Sequence, residues 1–135
     1  SSLTIWHVLQ AIHGVTLDMA RQQLRVIPHL PPEVPYLSSP VFTPGGLCWL
    51  KFRVESGGST YRQQFHISFD SPTNIASVLV RVPIKIEKVT VRCEVPDGAV
   101  PCKVDLLPGE YYRMVLVTLD RALYAGSAFS LELNA

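Results

Sequence analysis

The sequence predicts a mostly β chain, an antiparallel β-sandwich entered through one short N-terminal helix. Two observations carry this. Apolar and polar residues alternate with period two through most of the chain after Leu47. Turn-forming runs, among them Gly57-Gly58, Pro96-Asp97-Gly98 and Pro108-Gly109, recur between the alternating stretches. About eight short strands separated in this way are the pattern of a sandwich. The 135 residues make one domain, 1–135, with a helix over 1–14 and strands over 15–135. A hydrophobic content of 47% argues against disorder.

The first element is the helix. Ser2 or Thr4 can cap it, Ile5, Val8, Leu9 and Ile12 recur at helical spacing, and Gly14 suits the position just past its end. A helix this short needs something to dock on. Val15 to Asp18 and Leu24 to Ile27 then form a hairpin over Met19 to Gln23. From Pro28 to Pro44 six prolines argue for an ordered loop rather than a strand. Its apolar anchors are Leu30, Val34, Tyr36, Leu37, Val41 and Phe42.

The next hairpin has the strongest local signal. Cys48, Leu50, Phe52 and Val54 alternate with Trp49, Lys51 and Arg53; Tyr61, Phe65, Ile67 and Phe69 alternate with Arg62, Gln64 and His66. A two-residue turn at Gly57-Gly58 pairs Leu50 with Phe65 and Val54 with Tyr61, and sets Trp49 opposite His66 on the outer face. Ser77 to Val82 and Ile86 to Val95 continue as strands. A turn centred on Asp97-Gly98 leads into Val100 to Leu106 and sets Cys93 directly opposite Cys102 in the core. Cross-strand partners have Cβ atoms about 4.5–5.5 Å apart, and a disulfide wants about 3.8 Å. Facing buried thiols are therefore favoured over a bridge. Tyr111 to Leu119 and Phe129 to Leu133 complete the strands.

Composition narrows the chemistry. A net charge of +1 gives no footprint for nucleic acid or an anionic membrane, and no apolar run of about 18 residues could span a bilayer. The odd total of three cysteines favours a reducing, cytoplasmic compartment. His7, His13, His29 and His66 are too dispersed for metal-ligand spacing. Neither a nucleophile elbow nor a glycine-rich phosphate loop is present. Scattered carboxylates define no acid–base pair. No catalytic residue, metal or cofactor is expected. The side chains suited to an interface or to stacking on a sugar ring are Trp6, Trp49 and His66.

Residues Leu24-Arg25-Val26 and Pro28-His29-Leu30-Pro31, preceded by a helix ending at Gly14, carry a resemblance. This junction, with the strand at Leu47 to Val54, resembles that of glycoside hydrolases and phosphorylases with an (α/α)6 catalytic barrel, maltose and trehalose phosphorylase relatives among them. In that group a glycine ends the last barrel helix, an L-x-x-x-P-x-L-P hairpin follows, and a small C-terminal β-sandwich packs on the barrel. The group's catalytic carboxylates lie in the barrel, upstream of any residue here. The resemblance therefore implies a non-catalytic accessory domain whose partner is an upstream catalytic domain of the same parent chain. The N-terminal helix would offer a homodimer contact once that barrel is missing. A carbohydrate-binding module and an unrelated protein-interaction sandwich are the alternatives.

Overall fold

The computed structural model describes residues 14–31, 33–44, 46–121 and 124–135. The expected helix, and Trp6 with it, lies outside them; among the described residues there is no helix. Eleven strands form two sheets. The five-stranded sheet has the order β1 (Val15–Asp18), β2 (Gln23–Val26), β6 (Ser77–Pro83), β10 (Tyr112–Leu119), β9 (Cys102–Leu107). The six-stranded sheet runs β3 (Tyr36–Thr43), β4 (Gly46–Gly57), β5 (Thr60–Ile75), β11 (Tyr124–Asn134), β7 (Thr90–Val95), β8 (Gly98–Val100). Inward residues of both sheets share one core: Val78, Val80, Val115 and Val117 from one side, Leu50, Ile67, Phe129 and Leu131 from the other. This is the expected sandwich.

Three expectations about the strands themselves change, and two about their register. β3 occupies part of the proline-rich stretch read as a loop. It is tolerated as a strand because it lies at the sheet edge, where Pro40 can turn its nitrogen, which lacks a hydrogen, away from β4. Within it Leu37, Ser39 and Val41 are buried, whereas Tyr36 and Phe42, read as anchors, are 44% and 81% exposed. The sandwich is also not wholly antiparallel. β2 and β6 run parallel, joined through three strands of the opposite sheet, the long crossover that parallel pairing needs. Third, Val100 to Leu106 is not one strand. Pro101, with no N–H to donate, separates β8 from β9, and the chain passes there from one sheet to the other.

Both hairpin registers slide by two residues. Leu50 faces Ile67 rather than Phe65, and the β4–β5 turn is Gly58-Ser59, with Gly58 at φ 56. Cys93 faces Val100 rather than Cys102 across a Pro96-Asp97 turn, and Gly98 opens β8 at φ 136. Each slide is even, so every residue keeps its face. The β1–β2 hairpin stands as expected, with Gln22 at φ 53 supplying the left-handed residue its turn needs. Gly14 is required by proximity: its carbonyl accepts the Ile27 N–H at 2.7 Å, and a Cβ there would collide with the Ile27 carbonyl.

Cys93 and Cys102 belong to different sheets, yet both border the same core. All three thiols are free. The Cys102 Sγ lies 3.8 Å from the Val91 carbonyl oxygen. Burial chiefly, and the Cys102 thiol secondarily, push the Cys93 thiol well above its usual range. Burial likewise raises Cys48.

Two outcomes follow from this geometry. In urea unfolding, Gly58→Ala costs about 1 kcal/mol because its φ is left-handed, while Gly57→Ala, with open space around it, changes stability by less than about 0.5 kcal/mol. Equal costs would place the turn one residue earlier. Thiol titration of unfolded, unreduced protein should find three free thiols; a count of one would mean that Cys93 and Cys102 had bridged.

Candidate functional site

The outer face of the six-stranded sheet gathers the surface groups of interest. Period-two alternation aligns outward side chains into rows across the strands. One row runs Pro40, Trp49, Ser68; the next runs Ser38, Lys51, His66, Ser130, Glu94; a third runs Tyr36, Arg53, Gln64, Glu132, Arg92. The last two rows border a shallow groove of about 470 Å³.

Trp49 stands outward as expected and is 46% exposed. Its indole Nε1–H donates to Ser38 Oγ at 3.0 Å, which tethers the ring toward β3. His66 is not its direct partner: Ser68 opposes Trp49, and His66 opposes Lys51, so the two rings are diagonal neighbours on one face. The His66 Nδ1 pairs with Ser130 Oγ at 2.6 Å and its Nε2 with Ser68 Oγ at 3.3 Å. Both ring nitrogens therefore have hydroxyl partners. The structure brings Trp49 and His66 to one surface and leaves Cys93 and Cys102 on the inner side.

Charges on this face are mostly matched. Arg62 meets Glu132 at 3.0 Å and Arg92 meets Glu94 at 2.7 Å, whereas Arg53 and Glu55 are 3.9 Å apart. The Arg53 guanidinium lies 5.5 Å from the centre of the Tyr36 ring, within cation–π range. Lys51 meets no carboxylate among the described residues. The Glu132 carboxyl is held below its ordinary value by the Asn134 amide first and then by the Arg62 and Arg92 cations. No cluster of three or more histidine, cysteine or acidic side chains suited to a metal occurs among the described residues.

Beyond the rows lies an apolar corner. Phe42 is directly opposite Leu47, which is 43% exposed, and Pro40 is opposite Trp49. Sequence reasoning assigned Phe42 to the inside of a loop and missed this corner. The available signal was the alternation of Leu37, Ser39 and Val41 with Tyr36, Ser38, Pro40 and Phe42, once the prolines are allowed on an edge.

A second concavity, about 580 Å³, opens at one end of the sandwich between Val26, Pro35, Phe52, Tyr61, Gln63 and Val82. Gln63 is buried there; its Nε2 donates to the Tyr61 hydroxyl and to the Arg81 carbonyl, each at 2.8 Å. Both amide hydrogens are thus used, and its Oε1 has no partner among the described residues. Burial raises the Tyr61 phenol above its ordinary range, against the opposing pull of the Gln63 bond and the Arg81 charge.

No protein-family model matches the chain, and no curated protein matches it. Among solved structures it is similar to an alpha-L-rhamnosidase from Dictyoglumus thermophilum, with a TM-score of 0.45 and 16% identity over 94% of this chain. The chain spans 13% of the length of that structure. That enzyme is a rhamnosidase, outside the maltose and trehalose phosphorylase group that the sequence led us to expect.

The carboxylate network gives a direct test. An NMR titration should find Glu132 losing its proton below 4.5, the ordinary glutamate value, and Asn134→Ala should move it back up. Because the folded state favours the ionised form, this group's stabilisation is complete above that ordinary value and is lost as pH falls through the folded pKa. An unchanged titration in the variant would remove the amide as the main cause.

Proposed function

We propose that this β-sandwich is a non-catalytic accessory domain of a carbohydrate-active protein, packing against a catalytic domain of the same parent chain and stabilising it. The observation that carries the reading is the Phe42–Leu47 corner. Two large apolar side chains sit directly opposed on the outer face of an edge pair, beside Pro40 and Trp49. Burying such a patch against a partner recovers hydrophobic free energy that the isolated domain leaves unrealised. The junction residues Leu24 to Pro31 supply the carbohydrate context by their resemblance.

A second reading, a carbohydrate-binding module, has its own observation. The tethered, half-exposed Trp49 indole adjoins a row of hydroxyl, imidazole and ammonium groups, and such a mixture suits a polyhydroxylated ring.

The accessory reading is tested in the parent protein. The double variant Phe42→Ser, Leu47→Ser should weaken domain packing by about 2 kcal/mol, the scale of an interface hot spot, and lower the temperature at which the parent's glycosidase activity is lost. The isolated domain, in which both side chains are exposed, should keep its melting temperature. It should also hydrolyse no nitrophenyl glycoside. Unchanged inactivation of the parent would exclude this corner as the docking surface, and hydrolysis abolished by a single carboxylate substitution would exclude a non-catalytic domain.

A further inference from the structure

Lys51 and Arg53 stand two positions apart on β4 and point outward together, roughly 7 Å apart along the strand. Both border the groove, and the carboxylates that share it are engaged: Glu94 by Arg92 and Glu132 by Arg62. Two cations thus face one concavity. Lys51 has no carboxylate partner among the described residues, and Arg53 has only a long pair to Glu55 at 3.9 Å and a stacking contact on the Tyr36 ring. Across from them on β5 are His66 and Gln64, and along their flanks lie the hydroxyls of Ser38, Ser68 and Ser130. Trp49, the next outward residue on the same strand, stands outside the groove's lining, beside Lys51, with its indole tethered to Ser38.

We propose that this groove binds an acidic saccharide, with one sugar ring on the Trp49 indole and a uronate carboxylate held by Lys51 and Arg53. The proposal rests on the carbohydrate-binding reading and adds the charge of the ligand to it. An acidic peptide fits less well. The floor of the groove lies over β4, β5 and β11, each paired on both sides. Only its rims reach the edge strand β3, at Tyr36, and the part of β7 beyond its pairing with β8, at Arg92. The floor therefore offers an extended peptide no free row of hydrogen-bonding groups. A pyranose needs no such row. Its apolar face can stack on an indole while its hydroxyls exchange hydrogen bonds with side chains. The planar Arg53 fork suits a carboxylate, and Lys51 adds a point charge beside it.

The test is affinity electrophoresis of the isolated chain in native gels containing sodium alginate, dextran or polyglutamate. Alginate should retard the chain, dextran and polyglutamate much less. Lys51→Gln and Trp49→Ala should each weaken alginate binding about tenfold, the loss expected for one charge-assisted contact or one stacked ring. Melting curves matching the unsubstituted chain would show that both variants fold. Alginate binding left unchanged by either substitution overturns the proposal, as does equal retardation by polyglutamate, which would mark a general response to negative charge. Equal retardation by dextran and alginate would sink the acidic preference and leave the carbohydrate reading standing. Retardation by neither polysaccharide would sink both.

Discussion

The whole arrangement depends on one dry layer between two sheets. Val80 and Val117 on one side and Ile67 and Phe129 on the other are wholly buried, and the Phe65 and Phe129 rings lie with centres 6.0 Å apart. Each strand contributes alternate residues to this layer, so each strand must keep its parity. Of the five passages between sheets that the described strands make, two take a single residue: Ala76 between β5 and β6, and Pro101 between β8 and β9. At the first crossing the freed N–H groups of Ala76 and Ser77 donate to the Gln22 carbonyl. At the second, the Pro101 carbonyl accepts the Asp120 N–H. The backbone therefore changes layers without leaving these groups unpaired.

Parity was legible in the sequence; absolute register was not. A period of two identifies which face a residue takes, and any even displacement satisfies it equally well. The turn must then decide, and here the glycines were ambiguous. Gly57-Gly58 could serve as both central residues or contribute only Gly58, and Gly98 could sit in its turn or just after it. Direction also escaped sequence reasoning. Nothing local in Gln23–Val26 announces that Ser77–Pro83 will lie beside it in parallel, because that pairing is made across fifty intervening residues by the core as a whole.

The outer face was readable in part for the same reason. Trp49 alternates out of phase with buried neighbours, so its exposure follows from pattern alone. Its hydrogen bond to Ser38 does not, because that contact depends on β3 being a strand. The prolines that argued against β3 hid Tyr36, Phe42 and the whole left border of the face. The unmatched charge on Lys51 was likewise invisible, since ion pairing is set by which strands become neighbours. Arg92 and Glu94 meet along one strand, and Arg62 and Glu132 across two; no such partner falls beside Lys51.

Pro40 has a consequence that reaches beyond the single molecule. β3 is an eight-residue edge strand carrying an exposed Phe42, and an open edge with an apolar flank is the usual template for strand-by-strand polymerisation. A proline at mid-edge leaves a gap in the ladder that any incoming strand would need to complete. The protein can therefore display an apolar corner at the rim of its larger sheet while that rim stays a poor seed for fibrils.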